Sequence, residues 1–167
     1  MTRKHLTFAL PVALVYAASP ASAGWNGAEW GMTPQQVEEA TEGFARMTRE
    51  ELPREGREPR LSNRAEFESE LSNFEVEYYH DHTGLQQIRL IPEFDDCDEV
   101  LNAFVSTFGE PIEYQEQVIL RNFAWHDEEN DNRIVLAHST ANLCTVYFYS
   151  LSDYTQRMEA RAGSDAG

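Results

Sequence analysis

The chain has 167 residues, and its 29 acidic residues outnumber its 13 basic ones, which gives a formal net charge of −16. Such an excess of negative charge opposes binding to DNA, RNA and anionic lipid, because these surfaces attract proteins through basic patches. Nucleic-acid binding is therefore disfavoured. The only lysine is Lys4, so residues 24–167 offer no lysine for a Schiff base or a phosphate-binding loop.

The first 23 residues have the pattern of an export signal. A positive end at Arg3–His5 precedes a mostly apolar run over residues 6–18, and Ala21-Ser22-Ala23 forms a small-x-small cleavage motif. We expect cleavage after Ala23, which would place the mature protein in the periplasm or outside the cell.

Removing residues 1–23 from the 167 leaves 144 residues, about the length of one domain. The mature chain keeps 11 basic and 29 acidic residues, a net charge of −18. We expect a single domain over residues 24–154 and a flexible tail over residues 155–167. No segment after the signal has the ~20 consecutive apolar residues that span a bilayer, so stable membrane insertion is not expected.

The stretch GWNGAEWGMTPQQVEEA, Gly24 to Ala40, predicts the beginning of the domain and its first helix. Thr33 is a good N-cap, Pro34 suits the first helical position, and Gln36 completes a capping box. Beyond them an apolar face recurs at helical spacing. The two tryptophans before the helix are expected to cover the edge of the core.

Residues 46–64 contain six arginines, two prolines and a glycine, and almost no large apolar side chain. This composition predicts a loop. The arginines alternate with glutamates, which is typical of a solvated, self-neutralised segment. The alternative is a docking loop for an acidic partner, with Arg54 and Arg57 as its anchors.

Downstream of Phe74 the apolar period changes to two, which predicts a hairpin that turns at residues 80–84 and ends at Pro92. A second helix follows over Cys97–Phe108 and ends at Gly109. Three further strands are predicted, over Val118–Trp125, Arg133–His138 and Leu143–Ser150. We therefore expect an α+β fold, an antiparallel sheet with two helices packed on one face. The order of elements also suggests a degenerate helix–hairpin repeat.

The two cysteines, Cys97 and Cys144, are predicted to form a disulfide. An even number of cysteines in an exported chain favours this bond. Cys97 shares a helical stripe with Leu101 and Phe104, and Cys144 shares a strand face with Val146, so both sulfurs should enter the interface between helix and sheet.

Two short motifs carry a resemblance to a known family. The segment WGMTPQQV is similar to the Gly-Met-Thr-x-x-x-Val that opens a helix in small envelope proteins of the BamE (SmpA/OmlA) type, and FGEP looks like the Gly-x-Pro that closes such helices. That group and the related β-lactamase-inhibitor-like domains have helices on one face of an antiparallel sheet and act by binding other proteins. The resemblance therefore implies a binding role.

Few residues indicate chemistry. His80 and His82 form an HxH pair of the kind found in zinc and copper sites, but no third ligand is specified, and two histidines at a polar turn are typical of solvated side chains. No nucleophile with a neighbouring base is evident. We therefore predict no catalytic residue and no cofactor.

The remaining feature is aromatic. Strand parity places four aromatic residues on the face opposite Val76 and Val146, and these are Tyr79, Trp125, Tyr147 and Tyr149. They are either binding anchors or cross-strand pairs that stabilise an open face. The resulting expectation is a non-catalytic binding, adaptor or inhibitor module whose partner is another envelope protein. The alternative is a small-ligand carrier or a hydrolytic enzyme with a pocket between sheet and helices.

Overall fold

A computed structural model of the chain describes residues 24–93, 97–139, 141 and 143–165. The predicted export signal and its cleavage site lie outside the described residues. The helices and strands of the described part are β1 (Gly24–Trp25), β2 (Ala28–Glu29), α1 (Pro34–Ala40), β3 (Arg46–Met47), β4 (Arg60–Glu68), β5 (Asn73–Asp81), β6 (Gly84–Pro92), α2 (Cys97–Phe108), β7 (Glu113–Glu116), β8 (Leu120–Asp127), β9 (Asn132–Ser139), β10 (Cys144–Ser150) and α3 (Leu151–Asp165).

Eight strands form one antiparallel sheet in the order β3-β4-β5-β6-β10-β9-β8-β7, and β1 pairs with β2 in a small separate hairpin. Each half of the large sheet is a four-stranded meander that follows a helix, and the two meanders join where β6 pairs with β10. The predicted antiparallel α+β fold is confirmed at this level. The finer prediction, two helices packed on one face, stays a prediction.

One face of the sheet, here called the core face, forms the main hydrophobic core. The strand register aligns one apolar row straight across seven strands, made of Ala65, Val76, Leu90, Val146, Leu136, Phe123 and Tyr114. Most of this row is buried, and exposure rises only towards β8 and β7. Burial of such a contiguous row is the main source of stability for a sheet.

The capping box that the sequence predicts opens α1. The Gln36 amide donates to Thr33 Oγ1 at 3.3 Å, and the Thr33 amide donates to Gln36 Oε1 at 2.9 Å. Pro34 stands at the first helical position, where the proline needs no hydrogen-bond partner for its nitrogen. The predicted start of the domain's first helix is therefore confirmed.

The predicted hairpin is also confirmed, as β5 and β6. Its turn is tighter than the sequence suggested, because Asp81 pairs with Gly84 and only two residues stand between them. His80 consequently lies within the strand and is fully buried, whereas His82 is exposed in the turn.

The segment predicted as a loop contains two strands, so that prediction is wrong for β3 and for the first part of β4. The strand pattern was hidden by a polar residue on the core face, Asn63, which is fully buried. Its Nδ2 donates to the carbonyl oxygens of Pro34 at 2.9 Å and Ala45 at 3.1 Å. A polar side chain that bonds the strand to the start of α1 and to the segment before β3 looks like a loop residue in the sequence.

A third helix, α3, occupies residues that the sequence assigned mostly to a flexible tail. Ser150 Oγ accepts a hydrogen bond from the Asp153 amide at 3.1 Å, which is an N-cap contact. Asp131 Oδ1 accepts from the amide and the hydroxyl of Ser152 at 2.8 and 2.6 Å. These contacts begin the helix at the end of β10, and they depend on a distant residue that a local pattern does not reveal.

The structure does not contain the predicted disulfide between Cys97 and Cys144. Both residues are buried, at 0% and 5% exposure, so their placement in the interior is as expected. A helical stripe and a strand face predict only the layer that each sulfur enters. A disulfide further requires Cα atoms within about 7 Å and converging Cβ directions, which such patterns do not determine.

In the part of the chain that the structure describes, no helix is both long and apolar enough to cross a membrane.

Candidate functional site

The face opposite the core face carries a row of tyrosines and arginines that we call the tyrosine face. Its members lie on four neighbouring strands and are Arg64, Glu77, Tyr79, Gln87, Arg89, Tyr147 and Tyr149. Arg89 is the centre of this arrangement, because the register pairs it with Glu77 on one side and with Tyr147 on the other. Tyr79 and Tyr149 flank Gln87 in the adjacent row.

The Arg89 guanidinium packs between two aromatic rings. Its carbon lies 4.1 Å from the ring centroid of Tyr79 and 5.4 Å from that of Tyr147. Its Nη1 also donates to the Tyr79 hydroxyl at 3.1 Å. Arginine is weakly hydrated and planar, so this stacking holds the cation in place without removing its charge from the surface.

A chain of charged hydrogen bonds continues from Tyr79 towards the edge of the sheet. The Tyr79 hydroxyl donates to Glu77 Oε2 at 2.8 Å, and Glu77 Oε1 accepts from Arg64 Nη2 at 3.1 Å. Arg64 Nη1 contacts Glu75 at 3.0 Å. Glu77 is buried at 7% exposure, and each of its carboxylate oxygens has a donor, so the carboxylate is satisfied.

The other side of the tyrosine face is aromatic. The rings of Tyr147 and Tyr149 are stacked, with centroids 6.2 Å apart and an angle of 7° between their planes. Gln87 Nε2 donates to the Tyr149 hydroxyl at 3.4 Å. All three tyrosines of the face are half-buried. The tyrosines of the face are therefore held by packing and hydrogen bonds and are only partly exposed.

The phenols of Tyr79 and Tyr149 stay protonated. Burial raises the pKa of Tyr79, and the hydrogen bond to Glu77 raises it further, while the Arg89 charge lowers it. Burial also raises the pKa of Tyr149, with Tyr147 as the next contributor. A tyrosine whose pKa lies above its ordinary value donates hydrogen bonds and does not act as a phenolate nucleophile.

Trp125 does not belong to this site, which corrects the sequence-based assignment. The register aligns it with the core-face residues Ile134 and Phe148, and it is 1% exposed. Its Nε1 donates to the Gly109 carbonyl at 2.8 Å, and its ring lies 5.8 Å from that of Phe104 in α2. Alternation shows reliably which residues of one strand share a face. Which residues of two different strands share a face depends on the register between them, and the sequence did not reveal that register.

Arg54 and Arg57 lie between β3 and β4, and their side chains are exposed. Neither forms an ion pair with a described residue. The structure shows no contact that links them to the tyrosine face. Their role as anchors for an acidic partner stays a prediction.

Arg89 is the residue of this site that the sequence analysis missed. A usable signal existed, because Arg89 stands between Ile88 and Leu90 in an alternating strand and so shares the parity of Gln87. An arginine at an interior position of a central strand, flanked by two core residues, indicates a polar contact on the opposite face.

The histidines of the second meander are paired with arginines. His126 Nε2 lies 2.9 Å from Arg133 Nη1, and His138 Nδ1 lies 2.8 Å from Arg121 Nη2. Burial and the Arg133 charge lower the pKa of His126. The register places the two histidines on opposite faces of the sheet, so they do not meet across the hairpin as a catalytic pair.

Arg133 is held by a bidentate ion pair with Glu113, at 2.8 and 3.1 Å, and its guanidinium lies 3.9 Å from the ring centroid of Tyr154 in α3. The hydrogen bond from Arg133 lowers the pKa of Glu113. This cluster therefore attaches α3 to the sheet.

The HxH pair is split by the hairpin turn, because His80 is buried within β5 whereas His82 is exposed. In the described part of the chain no group of three or more potential metal ligands comes together. Neither ring nitrogen of His80 has a hydrogen-bond partner there. Burial lowers the pKa of His80 to about 4, so the imidazole is neutral at physiological pH.

The buried His80 predicts a loss of stability in mild acid. The unfolded chain binds this proton with the ordinary pKa of 6.5, and the folded protein binds it only near 4. The stabilising contribution of the neutral imidazole is therefore fully present above pH 6.5 and is lost as the pH decreases towards 4. We expect the free energy of unfolding in urea to fall by about 2 kcal/mol between pH 7.5 and pH 5 from this group.

The His80→Leu variant should lose most of this pH dependence, whereas the His82→Leu variant, changed in the exposed turn, should keep it. Equal pH slopes for all three proteins would contradict a buried neutral His80.

Comparison with protein families, curated proteins and solved structures finds no match to this chain.

Proposed function

We propose that the protein is an exported, non-catalytic binding module whose tyrosine face docks on another envelope protein. The observation that carries this proposal is the ordered Tyr79–Arg89–Tyr147 cluster on a partly exposed sheet face. Tyrosine and arginine dominate the residues that contribute most to protein association, and they contribute most when held in place before binding.

The arrangement of the helices supports the proposal. Pro34 at the start of α1 accepts a hydrogen bond from Asn63, and Phe104 of α2 packs near Trp125. Asn63 and Trp125 belong to one row of the core face, through Tyr78, Ile88, Phe148 and Ile134. We propose that α1 and α2 both cover the core face and leave the tyrosine face to a partner, with α3 bounding that face beyond Tyr149, where Arg133 contacts Tyr154. The resemblance to BamE-type and β-lactamase-inhibitor-like proteins points to the same role.

The chemistry of the face also favours binding. Its Tyr79 and Tyr149 phenols remain protonated, its glutamate is satisfied by hydrogen bonds, and its central cation is stacked between rings. Such a surface offers hydrogen-bond donors, aromatic area and one fixed positive charge. A partner with a carboxylate or carbonyl groups opposite Arg89 would complement it.

The experiment is capture of the partner from envelope extract of the source organism by the immobilised mature protein. The Tyr147→Ala and Arg89→Ala variants should each lose at least tenfold in apparent affinity, since anchor residues contribute roughly 2 kcal/mol or more. Arg89→Lys keeps the charge but loses the planar stacking, and it should also bind more weakly.

The matched control is Tyr114→Ala, which removes an exposed tyrosine at the far edge of the sheet. It should bind like the wild type. All variants should keep the wild-type free energy of unfolding in urea to within about 1 kcal/mol. Wild-type binding by both the Tyr147→Ala and the Arg89→Ala variants would place the docking surface elsewhere.

A further inference from the structure

The outer edge of β4 is only half covered by a neighbouring strand. β3 pairs with it at two positions, Arg46 with Arg64 and Met47 with Asn63. From Ala65 to Glu68, no described strand lies beside this edge. An uncovered strand edge presents unpaired backbone donors and acceptors.

The backbone groups that point to this open edge can be assigned. The Ser69 amide donates to the Ser72 carbonyl at 3.0 Å, so Ser69 is directed towards β5. The direction of the backbone N–H and C=O groups alternates from one residue to the next along an antiparallel strand. Phe67, which pairs with Phe74, is therefore directed towards β5 like Ser69. Glu66 and Glu68 therefore direct their N–H and C=O groups away from β5 and towards the open edge.

A groove of about 1110 Å³ lies along this edge. Aromatic and apolar side chains form part of its lining, and these are Phe44, Ala65, Phe67, Phe74, Ile91 and Pro92. Four glutamates also line it, at positions 66, 68, 75 and 93, against two arginines, Arg46 and Arg64. Since Arg64 is already paired with Glu75 and Glu77, the groove has an excess of negative charge.

Along β4 the apolar and acidic side chains lie on opposite faces of the sheet. Phe67 shares the core face with Ala65, whereas Glu66 and Glu68 have the other parity. A strand added beside β4 would also alternate, so its side chains on one face would meet phenylalanines and those on the other would meet carboxylates.

We propose that this groove takes an extended segment of a partner polypeptide, which adds a strand to β4 and alternates apolar with arginine or lysine side chains. Backbone pairing would supply affinity, and the two faces would supply specificity. A second copy of this chain fits poorly, because two antiparallel β4 strands would bring Glu66 and Glu68 of both copies together. The site adjoins the tyrosine face at Arg64, but it does not depend on the function proposed for that face.

The probe is a fluorescent, end-capped hexapeptide of alternating valine and arginine, titrated with the full mature chain. Its controls are the same peptide with alternate backbone nitrogens methylated and a valine–glutamate peptide. We expect the first peptide to bind and both controls to bind at least tenfold more weakly. The methylated peptide keeps every charge, so equal binding of the two arginine peptides would show general attraction to an acidic protein and would overturn the proposal.

Two variants locate the site. Glu66→Pro removes an outward N–H at an edge where proline is tolerated, and it should weaken binding at least tenfold. Glu116→Pro makes the same change at the opposite edge of the sheet. There the Gln117 amide bonds to the Leu120 carbonyl, so the neighbouring Glu116 directs its N–H outward. This variant should leave binding unchanged. Tyr147→Ala should not affect this peptide. Equal affinities of the Glu66→Pro variant and the wild type would refute strand addition at β4.

Discussion

Replacement of Trp125 by alanine should destabilise the fold by about 3–5 kcal/mol, the usual range for removal of a large aromatic side chain from a core. Trp125 is 1% exposed, packs against Phe104 and donates a hydrogen bond to the Gly109 carbonyl at 2.8 Å. The change would leave both a cavity and an unpaired carbonyl at the end of α2. Urea unfolding followed by circular dichroism measures the loss.

Tyr147→Ala is the matched comparison, because Tyr147 was assigned to the same surface as Trp125 from the sequence. It should change stability by less than about 1 kcal/mol, since the side chain is half-buried on the tyrosine face. If Trp125→Ala were as stable as the wild type, the register of β8 against β9 would be wrong and the tryptophan would return to the candidate site.

Gly84→Ala should destabilise the fold strongly although it adds only one methyl group. Gly84 has φ of +119°, and an added Cβ would overlap the carbonyl oxygen and carbon of Gly31. The segment it would displace is bonded to β6, through Gly31 N–H to the Leu85 carbonyl at 3.0 Å and Leu85 N–H to the Met32 carbonyl at 2.8 Å. We expect a loss of about 3 kcal/mol or more, from strain and from displacement of the segment that leads into α1.

Gly56→Ala is the control for backbone conformation alone. Gly56 also has a positive φ, of +73°, but an added Cβ would have no neighbour within 4 Å. It should cost about 1–2 kcal/mol. Equal losses for the two variants, measured by urea unfolding, would mean that the Gly31–Met32 segment does not lie against the turn.

Local signals predicted the parts of the fold that depend on local chemistry. Thr33, Pro34 and Gln36 each have a role only at a helix start, and the structure uses all three in that way. The β5–β6 hairpin was predicted from alternation, because its two faces differ sharply in polarity. These elements need no information from distant residues.

The elements that were missed depend on distant partners. Asn63 is polar because it bonds to the Pro34 and Ala45 carbonyls, so its strand lacked an apolar alternation. The helix α3 depends on Asp131, which contacts Ser150 and Ser152 from another turn. Residues of this kind give a strand or a helix the local sequence pattern of a loop or a tail.

The candidate site was predicted in part. Parity within β10 placed Tyr147 and Tyr149 together, and parity within β5 placed Tyr79 opposite Val76. Assigning residues of different strands to one face requires the register between the strands, which the sequence pattern does not provide. The prediction therefore included Trp125 and omitted Arg89. The arginine that organises the tyrosines is recognisable only when β6 is known to lie between β5 and β10.

The most direct test of the proposed binding face is site-specific photocrosslinking. A benzoylphenylalanine placed at position 147 of the mature chain, mixed with envelope extract and irradiated, should give one discrete adduct with a single protein. Excess unlabelled wild type should suppress this adduct, and excess Arg89→Ala should not. The same probe at Thr107, on the exposed side of α2, should give no such adduct. Absence of an adduct at 147, or equal suppression by wild type and Arg89→Ala, would contradict the tyrosine face as the docking surface.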